Sequence, residues 1–200
     1  MTRREARLTE ANLRARLGAR TPKEQPKTAA TALASVAAVL RYPAHDAPEV
    51  LLIRRPDKAS DPWSGHMAFP GGRKDTADRD LVRTAMRETL EEVGVELGAS
   101  ELVGRLDDVQ AISGGRPMDL IIVPHVFVLS RDVSLRLEPE EVAQALWAPL
   151  LPMLRGERDT VRPYVHEGKR MELPGYQVEG HIVWGLTYRM LELLFEALRR

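Results

Sequence analysis

The sequence predicts a mixed fold of the α/β or α+β class. Strand-like apolar segments alternate with amphipathic helical ones along the chain, and no internal repeat or low-complexity tract interrupts them. At 200 residues, 44% apolar and 29% charged, the chain is long enough for one full core and has an ordinary globular balance.

Residues 1–20 are rich in Arg, Ala and Leu. Leu8, Leu13 and Leu17 fall at near-helical spacing, and Thr9 can cap a short helix. A polar linker with Pro22 and Pro26 follows, so 1–27 reads as an arm or accessory helix and 28–200 as the main domain. Ala34–Arg41 and Val50–Arg54 read as strands around a loop holding Pro43, His45, Asp46 and Pro48. A second loop, 56–68, leads into Phe69-Pro70-Gly71-Gly72. Asp78 or Asp80 can then cap a helix that runs to Val93 and stops at Gly94. Leu102–Gln110 and Asp119–Leu129 are the next strands, the second apolar enough to be buried on both faces. Residues 139–149 carry both helical and strand signals, and Leu150–Arg155 reads as a helical turn. Val161–Val165 and Met171–Tyr176 form a hairpin around Glu167–Lys169, and Leu186–Leu198 closes the chain as an amphipathic helix.

Lysine plus arginine equals aspartate plus glutamate at 29 each, which argues against a protein that coats nucleic acid or an anionic membrane. With no cysteine, disulfides, thiolate metal sites and a cysteine nucleophile are excluded. No apolar run approaches the roughly 20 residues of a membrane span, and none follows the N-terminus as in a secretory signal. The expectation is a cytoplasmic protein.

Chemistry concentrates in residues 71–95. On a helix, Glu88, Glu91 and Glu92 fall within roughly a 100° arc, while Val82, Met86, Leu90 and Val93 gather on the other side. Like charges at such spacing repel, and a hard divalent cation, Mg²⁺ or Mn²⁺, would convert the repulsion into coordination. Arg87 can reach Glu91 on the next turn. The Pro-Gly-Gly turn before the helix lets backbone approach a metal or phosphate closely.

This stretch resembles the signature of the Nudix hydrolases. Arg87-Glu88-Thr89-Leu90-Glu91-Glu92-Val93-Gly94-Val95 matches it, with Thr89 in an apolar slot. Upstream, Asp78 stands where the pattern has Glu, with eight residues rather than seven before Arg87, as in the coenzyme A pyrophosphatase branch. The resemblance implies a Nudix-type α/β/α sandwich with a mixed sheet. It implies Glu88, Glu91 and Glu92 as metal ligands, the Gly72 carbonyl as another, and Arg87 as the residue that orients the glutamates. It also implies a strand at 143–148, within Glu141-Val-Ala-x-x-Leu-Trp147-x-Pro-Leu150. Hydrolysis needs a proton acceptor for water; Glu138, Glu140 and Glu141 are the loop candidates, Glu141 first.

The segment Leu51 to Gly72 resembles the motif that precedes the box in coenzyme A pyrophosphatases. Arg55, Gly65 and Phe69–Gly72 fit; Ile53, Ser60 and Trp63 depart from it, and His66 is not aligned with the motif's histidine. Arg54, Arg55, Lys58 and Arg73 could meet phosphate, with Arg54 and Arg55 on opposite strand faces. Trp63 could stack on a base and His66 could touch phosphate. In His181–Thr187, Trp184 reads as core and Thr187 as a helix cap. The reaction implied is cleavage of coenzyme A or a derivative into 3′,5′-ADP and 4′-phosphopantetheine. Alternatives are a pyrophosphatase acting on nucleoside diphosphate sugars, dinucleotides or nucleoside triphosphates, and, remotely, a non-catalytic nucleotide-binding regulatory module. The family is often dimeric, and the arm could contribute to a homodimer.

Overall fold

The structure, a computed structural model, describes residues 8–43, 47–59, 61–166 and 168–199. His45, Asp46, Ser60 and Glu167, each used in the sequence reading, lie outside the described residues. In chain order the elements are α1 (Glu10–Gly18), β1 (Ala32–Arg41), β2 (Glu49–Arg54), β3 (Met67–Ala68), β4 (Gly71–Arg73), α2 (Leu81–Val93), β5 (Leu102–Arg105) and β6 (Val109–Ser113). After these come β7 (Arg116–Leu129), β8 (Gln144–Pro149), α3 (Leu150–Leu154), β9 (Asp159–His166), β10 (Lys169–Val178), β11 (His181–Trp184) and α4 (Gly185–Arg199).

β1 and β7 run parallel from Ala32 opposite Leu120 to Arg41 opposite Leu129. A parallel pair is stable only when both faces are covered. Here Ala34, Val36, Ala38 and Leu40 enter one core while Ala37 and Val39 enter the other. The first core is closed by α1 and α4, through Leu13, Leu17, Leu191 and Leu194; the second is closed by α2, through Ala85 and Val93. The other strands of this mixed sheet are β2 and β4 on β1, β3 and β8 on β2, and β5 and β6 on β7. A second sheet, in the order β11-β10-β9, is wholly antiparallel and packs Tyr176, Val178 and Val183 into the first core.

Thr9 caps α1 as expected, accepting from the Asn12 N–H. Asp80, not Asp78, caps α2 by accepting from the Arg83 N–H at 2.8 Å, and Gly94 ends the helix in the left-handed conformation. The apolar face of α2 is rotated from the expected one. Ala85, Thr89 and Val93 are its buried line, with Val82 and Met86 beside them, whereas Leu90 is 45% exposed. That rotation carries Glu92 inward, to 3% exposure.

The expected strand Leu102–Gln110 is two strands. Between them the Asp107 carboxylate accepts from the Lys23 N–H at 2.6 Å and pairs with Arg20 at 2.7 Å, and Asp108 accepts from the Gln25 N–H at 3.1 Å. These acids leave the ladder to hold residues 20–27 against the sheet. Gln144–Pro149 is a strand, as the resemblance implied and the local composition left open. Thr187 is not a cap: it lies inside α4, buried, and its hydroxyl donates to the Met67 carbonyl at 2.9 Å, tying α4 to β3. Among the described residues no helix is long and apolar enough to cross a membrane.

Candidate active site

Three elements converge at one end of the sheet. β4 supplies Gly71 and Gly72, α2 supplies Arg87 to Glu92, and a turn at 138–142 supplies Glu141. At Gly71, with φ near 151°, an added Cβ would lie 2.4 Å from the Ser35 carbonyl oxygen, so only glycine lets β4 press onto β1. At Gly72 it would lie 2.5 Å from the Glu88 carboxyl carbon. The space of the missing side chain is therefore where Glu88 sits.

The turn is strapped to the end of α2, where helical carbonyls lack partners. The Glu138 N–H donates to the Glu92 carbonyl at 3.0 Å, and the Arg136 N–H to that of Val93 at 2.9 Å. Glu141 and Val142 N–H groups close the turn on the Glu138 carbonyl, and the Ala143 N–H continues onto the Arg54 carbonyl at 2.9 Å. Glu141 is thereby delivered across from α2. One carboxylate oxygen from each of Glu88, Glu92 and Glu141 lies within 4.8 Å of the others.

Burial and like charge make the two helix carboxylates, Glu88 and Glu92, resist ionisation. Burial pushes the Glu92 carboxyl up to about 8, aided by Glu88 and Glu141 and opposed by the Gly71 N–H, which donates to Glu92 Oε2 at 2.8 Å, and by Arg55. Burial also raises Glu88, with Arg87 working against it and Glu91 and Glu141 adding to it. The donors are all hard oxygens, and Gly72 keeps backbone open beside them, so the residues fit a Mg²⁺- or Mn²⁺-sized cation.

Glu91 is not brought into this cluster. Its half-exposed carboxylate instead accepts from Arg87 Nη1 at 2.8 Å. The anchor of Arg87 is Asp78, to which sequence reasoning gave no role in the site. Arg87 Nε donates to Asp78 Oδ1 at 3.2 Å and Nη2 to Oδ2 at 3.0 Å, while Nη1 also reaches Glu88 at 2.8 Å. Asp78, buried, further accepts from the Thr84 hydroxyl at 2.9 Å and the Asp75 N–H at 3.0 Å. The guanidinium holds this carboxyl far below the usual carboxylate range, and Asp78 in turn keeps Arg87 charged. The available signal was an Asp standing in the motif's Glu position.

Residues 32–166 match the family model of the NUDIX domain. The chain belongs to the Nudix family. Its Nudix region is 33% identical over 151 residues to the Nudix hydrolase NudL of Yersinia enterocolitica, covering 74% of this chain and 72% of that protein. It is 31% identical over 154 residues to the human mitochondrial coenzyme A diphosphatase NUDT8, covering 76% of this chain and 63% of that protein. An uncharacterised Schizosaccharomyces pombe protein is 43% identical over 121 residues, which span 59% of this chain and 37% of its relative. Among solved structures, a MutT/nudix family protein from Enterococcus faecalis superposes with a TM-score of 0.56 at 17% identity, over 94% of this chain and 73% of that one. The NUDIX domain of Shewanella oneidensis NrtR, solved with ADP ribose, gives 0.53 at 21% identity over 96% and 97%. These likenesses establish the fold: the α/β/α sandwich with a mixed sheet expected from the sequence.

From the Nudix helix α2 a cleft of about 420 Å³ runs toward the second sheet. Its floor is apolar, with Val36 and Ile122 from the central strands and Met190 from α4. Arg55, Lys58, Trp63, His66 and Arg73 line it as expected. Arg54 does not: at the end of β2 it is turned onto Asp57, with which it pairs at 2.7 Å. Arg55 is forked onto Asp61 at 2.8 and 2.6 Å, Lys58 Nζ donates to the Glu140 carbonyl at 2.6 Å, and the Trp63 indole N–H donates to the Ile112 carbonyl at 3.3 Å. Arg73 is exposed at the edge of the cleft, its carbonyl accepting from Arg87. Trp184, expected in the core, is instead a half-buried wall of the cleft, with the His66 ring 4.5 Å from its own.

Proposed function

We propose that the protein hydrolyses the diphosphate linkage of a nucleoside diphosphate derivative, coenzyme A or a coenzyme A derivative in the first instance, with Mg²⁺ or Mn²⁺ as cofactor. The observation that carries this reading is the convergence of Glu88, Glu92 and Glu141 oxygens within 4.8 Å beside Gly72. Glu88, Glu92, Glu141 and the Gly72 carbonyl would hold the cation, which supplies charge neutralisation at the phosphoryl oxygens and a more acidic water. Arg87, fixed by Asp78, orients Glu88, and Glu91 acts on the site through Arg87. Glu141 is the group best placed to take a proton from water: it is exposed, on a turn, and shares the cluster with the two helix glutamates. Arg55, Lys58 and Arg73 face the phosphates, and the apolar floor takes the uncharged arm of the substrate.

The coenzyme A assignment draws on the motif over residues 51–72 and on the similarity to the human diphosphatase. The matched stretch spans 63% of that protein, so activity is carried over as a proposal about this chain. The test is a panel of coenzyme A, nucleoside diphosphate sugars, dinucleotides and nucleoside triphosphates, each with Mg²⁺ and Mn²⁺, with products resolved by chromatography. Release of 4′-phosphopantetheine with the highest kcat/KM supports the reading. Faster turnover of a sugar nucleotide or triphosphate replaces the substrate but keeps the chemistry. Absence of cation-dependent hydrolysis of every compound overturns it.

A further inference from the structure

The cations foreseen for phosphate binding are mostly committed within the protein. Arg54 is taken by Asp57, Arg55 by Asp61 and Lys58 by a backbone carbonyl. A different arginine, Arg162, stacks on Trp184, which lines the cleft. On β9, Arg162 and Tyr164 alternate onto one face of the second sheet. The register β9–β10–β11 aligns that face with Trp184. The Arg162 guanidinium lies 4.7 Å over the Trp184 ring centroid, and the Tyr164 ring 5.7 Å from it. An arginine held over an aromatic face spends none of its N–H donors on that contact and is already oriented.

The local backbone is built for this stack. Trp184 pairs across the strands with Gly175, whose absent Cβ would sit 2.7 Å from the Val183 carbonyl oxygen and 3.4 Å from the Trp184 Cβ. His66, on the loop between β2 and β3, closes against the same tryptophan. Burial, and then the charges of Arg162 and Arg55, hold its imidazole below the usual histidine value, so near neutrality the ring is uncharged. Arg162 and His66 thus both pack on Trp184, the exposed guanidinium on a ring that, with His66, lines the same cleft as the carboxylate cluster.

We infer that Arg162, fixed over Trp184, is a specificity residue that selects substrates carrying a phosphomonoester in addition to the diphosphate. In a nucleotide, a ribose separates a 3′-phosphate from the diphosphate, so one end of the cleft handles the anhydride and the other receives the dianion. The fork of Arg162 suits phosphate oxygens, and the aromatic rim suits the adjoining base. This inference rests on the diphosphatase reading above and deepens it.

The experiment compares coenzyme A with dephospho-coenzyme A in the full chain, wild type against Arg162→Met and Arg162→Lys. Arg162 is exposed, so the variants keep the fold, and methionine keeps an apolar stem over Trp184. Arg162→Met is expected to lower kcat/KM for coenzyme A by about 10- to 100-fold, through KM, and to change that for dephospho-coenzyme A by less than about 2-fold. Arg162→Lys restores part of the difference. Equal losses on both compounds, or no loss on coenzyme A, overturn the inference. Calorimetric binding of adenosine 3′,5′-bisphosphate and adenosine 5′-monophosphate gives a readout that needs no turnover. If the wild type hydrolyses neither coenzyme A compound, the coenzyme A assignment fails. A preference for the bisphosphate that vanishes in Arg162→Met still supports the subsite, and equal affinities overturn it.

Discussion

Glu92→Gln should make the cation-free protein more stable while abolishing its activity. In the folded protein the Glu92 carboxyl is pushed up to about 8 from an ordinary value near 4.5. The unfolded chain therefore releases this proton first. The stability held by the protonated form is complete below about pH 4.5 and is lost as pH rises through 8. At 1.36 kcal/mol per pH unit, the full loss is about 4–5 kcal/mol, and rearrangement around the ionised group lowers it to roughly 2–4 kcal/mol. At 3% exposure the side chain receives little screening from solvent. Glutamine keeps an oxygen for the Gly71 N–H but never ionises. With chelator at pH 8.5–9, calorimetry should place the melting temperature of Glu92→Gln roughly 5–12 °C above wild type. At pH 4.5 the two should coincide. Millimolar Mg²⁺ should then raise the wild type more than the variant, whose kcat should be down more than about 100-fold. A variant that melts at or below wild type at pH 9, or turns over at a near-normal rate, would refute the idea that Glu92 is a buried acid awaiting a cation.

Asp78→Asn weakens the two charge-assisted bonds to Arg87; a loss of about 2–3 kcal/mol is expected at pH 7 by urea unfolding. Because its carboxyl is held low, that contribution is full above the usual aspartate value of about 3.9, so the gap to wild type should begin to narrow below that pH and close only in strong acid. Gly72→Ala pushes a methyl into the Glu88 carboxyl, and calorimetry should show Mn²⁺ affinity down by about 10- to 100-fold with melting little changed. Glu91→Gln removes only one of the carboxylates around Arg87, so kcat should fall less than about 10-fold; a loss equal to that of Glu92→Gln would place Glu91 on the cation.

Local chemistry made much of the fold legible. The Thr9 cap, the Gly94 stop and the doubly buried run to Leu129 are each decided within a few residues, and each is found. Leu90 was misplaced because six apolar or small residues of α2 allow two nearly equal faces, and the choice falls to the sheet beneath. The break after Arg105 depends on Lys23 and Gln25, some eighty residues away in sequence. At the site, Glu88 and Glu92 followed from spacing on one helix. Asp78 and Trp184 did not, because their roles come from Arg87 across nine residues of sequence and from a sheet register that sets Trp184 of β11, across β10, on the face shared with Arg162 of β9 and against His66.

The charges in the cleft set an order of binding. Four carboxylates, Asp61, Glu88, Glu92 and Glu141, line it against three cations, Arg55, Lys58 and Arg73. Of these cations Arg55 already neutralises Asp61, and Lys58 is turned onto Glu140. A diphosphate entering this field without a cation meets net repulsion at the carboxylate end. Retaining the Glu92 proton relieves only part of that repulsion and leaves the acid unable to act as a full ligand. Substrate affinity should therefore rise with divalent cation and with pH toward 8, where Glu92 gives up its proton. Arg162 is not among the charges that move the Glu88 and Glu92 carboxyls, so the phosphomonoester binding proposed for it should depend little on divalent cation.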